Sequence, residues 1–321
     1  MSPRIWAHSP KDAVLLGISL SQLAVMIAAA LTWSGTGPVV RGSGFLVVTA
    51  MMTYNIIVVS HLFTHVPWFV SGRLNAIASV LNSIAIGQSV QAYHLTHVRN
   101  HHRYNNDPVG ADGTTKDKSS TYRDGRDGDH TPLPRYVLLG ALDSLLGRGR
   151  ELIGVVRLWR LGAADANLLA LASNREPRRS RELRQVRADR AAHCLSLVGF
   201  AVLSWQWTLF CYLPAFFAAL ALVNVQNYYR HYGADPSHRG ADSVSHYGRV
   251  YNRLTFNDGY HQEHHLSPAT HWTKLPTVRD RRRDLLDARP RIVSPVPAML
   301  GFLHRGRPLL HRAPTDQPTN S

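Results

Sequence analysis

Residues 44–65 read GFLVVTAMMTYNIIVVSHLFTH, an apolar run without a charged residue that ends in two histidines. A helix of about 20 apolar residues crosses a bilayer core of about 30 Å, so this run predicts a membrane span that continues into its histidines. His61 and His65 are four residues apart, and on a helix their rings project from one face, with Cβ atoms about 5–6 Å apart. The end of this span therefore presents one face that can clamp a metal ion.

Further histidines cluster at or just beyond the ends of other apolar stretches. They lie in HVRNHH, NYYRHYG and HQEHH, and they are His97, His101, His102, His231, His261, His264 and His265. Imidazole in such numbers, without clustered cysteine and with few carboxylates beside it, suits a transition metal such as iron, copper or zinc. Nine ligands exceed the needs of one ion, so the clusters predict two bound ions.

Spacing within the clusters indicates how the ligands divide. His97 and His101 repeat the spacing of four, whereas His102 lies about 100° further round the helix and can reach a different ion. By the same reasoning His261 pairs with one of the two adjacent histidines that close its own cluster. Adjacent histidines that point in different directions suit a site with two metals.

A single histidine near a membrane end has a simpler interpretation, an interfacial ring with a satisfied hydrogen bond. That interpretation fits the histidines outside the clusters, which are His8, His130, His193, His238, His304 and His311. The two cysteines, Cys194 and Cys211, lie in an apolar run outside any C-x-x-C pattern, so they are predicted to be core residues.

The apolar runs predict four membrane crossings, over about 13–33, 44–65, 191–211 and 213–230, with Pro214 breaking the last block into a hairpin. The first run could instead be a signal peptide, but it is longer than the apolar region of an ordinary signal peptide, so we expect an anchor. The chain is therefore predicted to be an all-α integral membrane protein with four transmembrane helices in two hairpins and a cytosolic helical cap. We expect residues 1–311 to form one membrane-embedded domain and 312–321 a disordered tail.

Residues 74–92 are the ambiguous segment, because their asparagine, serine and glutamine side chains are costly to expose to lipid. If this segment crossed the membrane, His61 and His65 would lie on the face opposite to the second cluster, and no shared site could form. We therefore expect an amphipathic helix at the interface or packed beneath the bundle. Residues 107–134, rich in Gly, Asp, Lys and Thr, predict a solvated loop.

The formal net charge is +15. Residues 175–190 hold seven arginines against three acidic residues and residues 279–291 hold six against three, which predicts that both face the cytoplasm. Contact with anionic lipid headgroups explains most of this charge. Docking of an acidic electron-transfer protein or acyl carrier is an open alternative. A nucleic-acid partner is not expected, because no recognised nucleic-acid module accompanies the basic stretches.

HLFTH, HVRNHH and HQEHH follow one another in the order and spacing of the membrane fatty acid desaturase and hydroxylase superfamily, which the chain resembles from about residue 13 to 276. This superfamily includes acyl desaturases and alkane 1-monooxygenases. The resemblance implies two iron ions between the cytosolic ends of a transmembrane bundle. It also implies that the nine clustered histidines are nearly all of their ligands and that dioxygen is the co-substrate.

The NYYRHYG segment resembles a motif of alkane monooxygenases that ends in HYG and supplies one further ligand, here His231. In acyl desaturases a comparable asparagine lies near an iron through a water, a role that Asn227 would take. Asn227 could instead cap or bridge helices. A second HYG begins at His246, but it lacks the asparagine. Leu62 and Thr96 replace glutamates that are common in alkane monooxygenases, so the chain falls between subfamilies.

Metal-bound imidazoles usually donate their second N–H to an acceptor that fixes tautomer and aim. The candidates for such outer positions lie within or beside the clusters, and they are His94, Asp107, Asn257, Asp258 and Glu263. Each could instead cap a helix or pair with arginine.

The expected function is dioxygen-dependent di-iron oxidation of an unactivated C–H bond in a fatty acyl or similar hydrocarbon chain. Fatty acid desaturation is the first choice, and hydroxylation of an alkane or acyl chain is the alternative. We expect no catalytic residue beyond the di-iron centre. A membrane metal-binding carrier is the non-enzyme alternative, but the spans hold few of the ionisable residues that a pathway would need.

No haem, Fe–S or flavin motif is found in the chain, so we expect electrons from a separate ferredoxin, rubredoxin or similar donor with its reductase. The expected location is the bacterial inner membrane, with the histidine clusters on the cytoplasmic side.

Overall fold

The computed structural model describes residues 4–156 and 165–312, and this part of the chain is mostly helical. The α-helices are α1 (Asp12–Thr32), α2 (Pro38–Tyr54), α3 (His61–His65), α4 (Gly72–Ile86), α5 (Val90–Thr96), α6 (His102–Tyr104), α7 (Leu133–Val156), α8 (Ala166–Leu171), α9 (Arg178–Trp207), α10 (Leu213–His231), α11 (Arg249–Leu254), α12 (His261–Leu266), α13 (Leu275–Arg281) and α14 (Arg283–Asp287). Short π-helical segments cover Asn55–Ser60, His97–His101 and Thr208–Tyr212. Two short strands, β1 (Val244–Ser245) and β2 (Ile292–Val293), pair in parallel.

Three helical stretches are long and apolar enough to cross a membrane, Asp12–Gly35, Pro38–His65 and Arg178–His231. The third has 54 residues and would be about 81 Å long as one straight helix. It is not straight, because Ser204 has non-helical backbone angles. The rings of Phe200 and Tyr212 are 5.6 Å apart, whereas twelve residues of straight helix would separate them by about 18 Å.

The chain therefore folds back at Ser204. The predicted break lay ten residues later, at Pro214, and that position is wrong because Pro214 falls in the first turn of α10, where a proline is tolerated. The number of crossings made by this stretch stays a prediction.

The chain divides into two compact units, unit 1 with residues 1–99 and 137–223, and unit 2 with residues 100–136 and 224–321. The core of unit 1 is formed by apolar side chains of α1, α2, α9 and α10, among them Met26, Met52, Phe200 and Phe216. Large apolar side chains also point outward from the same helices, and Val202 is 81% exposed. Outward apolar residues on spans of this length are typical of a lipid-facing surface.

The ambiguous segment 74–92 forms α4 and the start of α5, separated at Gly87. Gly87 has φ of +67°, and a Cβ there would lie 2.8 Å from the ring of Phe216. Asn82 accepts a hydrogen bond from Ser19 at 2.6 Å, and Ser79 donates to Asp189 at 3.0 Å. The polar side chains of α4 thus bond to α1 and α9 inside unit 1, as expected for a helix packed in the bundle.

Unit 2 contains α11 to α14, the strand pair and the segment before α7. The prediction of a solvated loop over 107–134 is wrong in its middle, because Asp117, Thr121 and Tyr122 are buried. Its side chains bond to each other and to Asn106, which accepts from the amide of Thr121 at 2.7 Å. Most of the predicted tail, residues 313–321, lies outside the described residues. The division into units does not test the prediction of a single membrane-embedded domain.

Candidate metal centre

Three histidines of unit 1 converge at the end of the second apolar stretch. The rings of His61 and His65 have centroids 5.0 Å apart, and the Nε2 atoms of His61 and His97 are 2.9 Å apart. The ring of His65 lies 4.9 Å from that of His97. Their ligand nitrogens all lie within 4.8 Å of one another, so a single ion could bind all three.

The π-helical segments set the register of these ligands. A π-helix bonds residues i and i+5 instead of i and i+4, so a spacing of four within it does not place two rings on one face. The segment His97–His101 is of this kind. The prediction that His97 and His101 share a face is wrong for that reason, since His97 groups with the trio of unit 1 and His101 with histidines of unit 2.

A second trio, His101, His231 and His265, lies in unit 2. Its ligand atoms are within 4.8 Å of one another, and the three residues are 2%, 0% and 3% exposed. The ring centroids are 5.0 to 5.1 Å apart. The trio joins the last residue of the π-helical segment before α6, the end of α10 and the short helix α12, so three segments distant in sequence deliver one donor set.

The remaining histidines of the clusters pack around this trio within unit 2. The ring of His102 is 4.7 Å from that of His264 and 4.6 Å from that of His265. The ring of His261 is 4.5 Å from that of His265. The rings of His264 and His265 are 6.1 Å apart, and His261 lies nearer to His265 than to His264. That the two adjacent histidines reach different ions stays a prediction.

Hydrogen bonds fix which nitrogen two rings of the trio can offer. His101 Nδ1 donates to Asp117 at 2.7 Å, and His231 Nδ1 donates to the carbonyl of Asp242 at 3.1 Å. Each bond places the proton on Nδ1 and makes Nε2 the nitrogen that can ligate, which is the tautomer a metal requires. Burial would raise the pKa of the Asp117 carboxyl, but its interaction with the His101 ring, including the hydrogen bond, holds the pKa below its usual value.

The trio also fits a metal by its unsatisfied atoms. Within residues 4–156 and 165–312, the Nε2 atoms of His231 and His265 are buried and have no hydrogen-bond partner. Burial lowers the pKa of His265 well below its usual value, helped by the positive potential of His102, so its ring stays neutral. Unpartnered buried nitrogens cost about 1–3 kcal/mol each, and a bound transition-metal ion removes that cost.

The six residues assigned to outer positions make bonds that hold the surrounding segments. Asn227 donates to the carbonyl of Ser119 at 3.1 Å and to the hydroxyl of Tyr136 at 2.6 Å, which is the bridging alternative. His94 Nδ1 donates to the carbonyl of Thr64 at 2.7 Å, and burial lowers its pKa. Its bond links α5 to α3, the helix of the first cluster.

The other four hold unit 2 together. Asp258 pairs with Arg230 and accepts from Tyr251. Glu263 accepts from Ser245 at 3.0 Å and from Tyr247 at 2.7 Å. Asn257, with φ of +63°, donates to the carbonyl of Trp272.

Asp107 accepts from the backbone amides of Lys116 and Asp117, so it positions the carboxylate that holds His101. Sequence reasoning missed Asp117 and the carbonyl of Asp242. Asp117 is one of several aspartates in a polar stretch, 16 residues from His101, and no spacing rule marks it.

His246, which begins the second HYG, lies outside both trios, and its Nδ1 donates to the carbonyl of Ser294 at 2.9 Å. His130 stacks on Tyr122 with centroids 4.1 Å apart and accepts from the amide of Gly233. These two rings have the satisfied hydrogen bonds expected of histidines that bind no metal.

Comparison with known proteins decides the family. The model of the fatty acid desaturase family matches residues 36–295. The chain belongs to the fatty acid desaturase family. This match covers all nine clustered histidines and the helices that carry them.

Curated relatives match over shorter stretches. A sphingolipid delta(4)-desaturase of Candida albicans is 43% identical over 54 residues, 17% of this chain and 14% of the relative. The sphingolipid delta(4)-desaturases of Drosophila melanogaster and Xenopus tropicalis are 35% and 38% identical over 65 residues, 20% of each chain. The matched segments thus span a fifth or less of the relatives' lengths.

Proposed function

We propose that this desaturase family member is a membrane oxidoreductase that uses dioxygen to desaturate the hydrocarbon chain of a lipid. The observation that carries the proposal is the buried trio of unit 2, in which hydrogen bonds hold two of the rings and the three ligand atoms lie within 4.8 Å of one another. The names of the relatives support a double bond as the product. A fatty acyl chain is the first substrate class, and a sphingolipid chain belongs to the same proposal.

We propose that the nine clustered histidines hold two iron ions. The trio His61, His65 and His97 supports one ion and the trio His101, His231 and His265 supports another, with His102, His261 and His264 as further ligands. Bound iron would supply the activation of dioxygen. In the overall reaction the hydrocarbon chain of the lipid loses two hydrogens, a donor supplies two electrons, two protons are taken up, and dioxygen is reduced to two waters.

The residues of this chain supply orientation and exclusion of water. Asp117 and the carbonyl of Asp242 hold two rings in the ligating tautomer. Burial of the trio keeps bulk water from the reacting atoms, and a dry site strengthens the electrostatic contacts within it. No side chain is assigned a role as acid, base or nucleophile.

The topology proposed with this function has four crossings and the histidine clusters on the cytoplasmic side of a bacterial inner membrane. The fold-back at Ser204 supports a hairpin, and the arginines of 175–190 and 279–291 support the orientation. Electrons would come from a separate ferredoxin, rubredoxin or similar protein with its reductase.

Hydroxylation of an alkane or acyl chain is the second candidate, favoured by the HYG that follows Asn227. A membrane metal-binding carrier is the third. Expression of the chain under isotopically labelled dioxygen, followed by mass spectrometry of the lipids, separates the three. A new double bond without label supports the proposal, a labelled hydroxyl group supports hydroxylation, and unchanged lipids with bound metal support the carrier.

The variant His265→Ala ties the product to the site, and His238→Ala is its matched control. His238 is a partly exposed histidine of unit 2 that pairs with Asp235. We expect product to disappear in the first variant and to persist in the second. Equal product from both would place the chemistry elsewhere.

A further inference from the structure

Unit 1 contains a cleft of about 1200 Å³ that the proposed reaction leaves unassigned. Its walls come from α3, α4, α5 and the first three turns of α9. His65 of the first trio and His94 border it, and so do the apolar side chains of Phe63 and Val90. A molecule in this cleft would therefore touch a proposed metal ligand with one end.

The charge of the cleft is strongly positive. Its lining includes four arginines and one acid, and the charged residues are Arg73, Arg178, Arg181, Arg184 and Glu182. Glu182 is already neutralised, because it accepts from Arg99 at 2.9 Å and from Arg178 at 3.0 Å.

The other three arginines of the cleft are exposed. Within residues 4–156 and 165–312, Arg73, Arg181 and Arg184 form no ion pair with an acid. Three unpaired guanidinium groups around one concavity favour an anionic ligand, since arginine binds phosphate through two parallel hydrogen bonds.

The position of these arginines along α9 matches the level of lipid headgroups. If the hairpin turns at Ser204 on the far side of the membrane, about 20 residues of helix span the bilayer core and reach back to Arg184. Arg181 and Arg178 lie one and two turns further out. A lipid whose phosphate binds here has its chain on the membrane side of the arginines.

We infer that this cleft binds the phosphate group of the lipid substrate, so that the substrate class is a phosphate-bearing lipid rather than a neutral one. The inference rests on the proposed function. A concave site of this size favours a small anionic group over the flat face of a partner protein. The phosphate could belong to a phospholipid headgroup or to the coenzyme A of an acyl thioester.

The test is a binding measurement on the full chain in neutral maltoside detergent. The probes are a long-chain alkyl phosphate, the alcohol of the same chain length and an acyl coenzyme A. The cleft variant is Arg181→Gln with Arg184→Gln. The matched control is Arg187→Gln with Arg283→Gln, two exposed arginines that do not line the cleft and whose loss changes the net charge equally.

We expect the alkyl phosphate to bind about tenfold or more tightly than the alcohol, a difference of about 1.4 kcal/mol or more. The cleft variant should lose that preference and the control should keep it. If the cleft variant weakens the binding of acyl coenzyme A but not that of the alkyl phosphate, the bound phosphate belongs to the coenzyme A of an acyl thioester. Equal affinity for the alkyl phosphate, the alcohol and the acyl coenzyme A, or an unchanged preference in the cleft variant, overturns the inference.

Repeating the measurement with His265→Ala separates this inference from the proposed reaction. Binding does not need turnover, so the phosphate preference should survive in that variant. If the lipids show no oxidation under labelled dioxygen while the preference for phosphate persists, the proposed reaction is wrong and the proposed phosphate site is still supported. If desaturation occurs without the preference, the cleft assignment alone fails.

Discussion

The two histidine trios contain the same donor atoms but are prepared by different means. In unit 1 the rings of His61, His65 and His97 are placed by the register of helices and π-helical segments. In unit 2 the rings of His101 and His231 are held by hydrogen bonds that they donate to Asp117 and to the carbonyl of Asp242. An α-helical register is determined by consecutive residues, whereas the acceptor of a supporting hydrogen bond lies in a loop distant from the ligand in sequence. The α-helical spacing of His61 and His65 is therefore readable from sequence, whereas the π-helical register of His97 and the supporting hydrogen bonds of unit 2 are not.

The largest expected effect is loss of a ligand from either trio. His61→Ala or His265→Ala should reduce iron content and lower activity by more than about 100-fold, because even the loss of an outer partner costs about 10–100-fold. Iron analysis and product yield of the purified variants check this. Full activity of either variant would show that its trio is not part of the metal centre.

A smaller loss is expected for Asp117→Asn, which keeps the shape but removes the charge that holds His101. Metal affinity or activity should fall by about 10–100-fold. Asp112→Asn is the control, since Asp112 is an exposed aspartate of the same stretch. If both variants behave alike, the tautomer of His101 does not depend on Asp117.

Acid should weaken unit 2 through His130, a buried ring outside the trio. Burial lowers its pKa to about 3 from the usual 6.5. Between these values the unfolded chain binds more protons than the folded one, so stability falls as the pH drops from about 6.5 toward 3, by up to about 1.4 kcal/mol per pH unit.

Hydrogen exchange of peptides over residues 121–131, measured in detergent from pH 7 to about 4, checks this effect. His130→Gln should reduce the dependence on pH. If the exchange of His130→Gln depends on pH in the same way as that of the unaltered chain, other groups cause the loss of stability in acid.

The smallest effect concerns the register of unit 1. Gly87→Ala places a β-carbon in the left-handed region, which costs about 1–2 kcal/mol, and brings it 2.8 Å from the Phe216 ring. The thermal midpoint should fall and, because α5 leads into His97, iron content should fall with it. Gly17→Ala is the control, since a Cβ there meets nothing within 4 Å and alanine favours a helix interior. A drop for Gly17→Ala alone would contradict this view of the α4–α5 junction.

Much of the fold could be predicted from local pattern. Apolar length located the stretches Asp12–Gly35 and Pro38–His65, and the family match confirms the identification that the spacing of HLFTH, HVRNHH and HQEHH gave. The assignment of His97 and His101 to different trios could not be predicted. A π-helical turn depends on the packing around it, and no residue composition marks it in the sequence. The fold-back at Ser204 was placed wrongly because proline is the stronger sequence signal for a break.

Long-range contacts account for the other misses. The burial of Asp117 depends on the folding of residues 105–132, which composition alone assigns to solvent. Asp107 was predicted to hold a ligand ring of the second cluster. It instead accepts a hydrogen bond from the backbone amide of Asp117, and Asp117 holds the ring. Residues that touch a ligand ring from a loop carry no periodicity, so sequence identifies the ligands better than their supports.

The most direct test of the central claim is the iron stoichiometry of the purified full chain after anaerobic loading with ferrous iron. We expect about two irons per chain, falling to one or fewer in His265→Ala and unchanged in His238→Ala. A chain that binds a single ion, or that binds iron equally well without His265, would contradict the central claim.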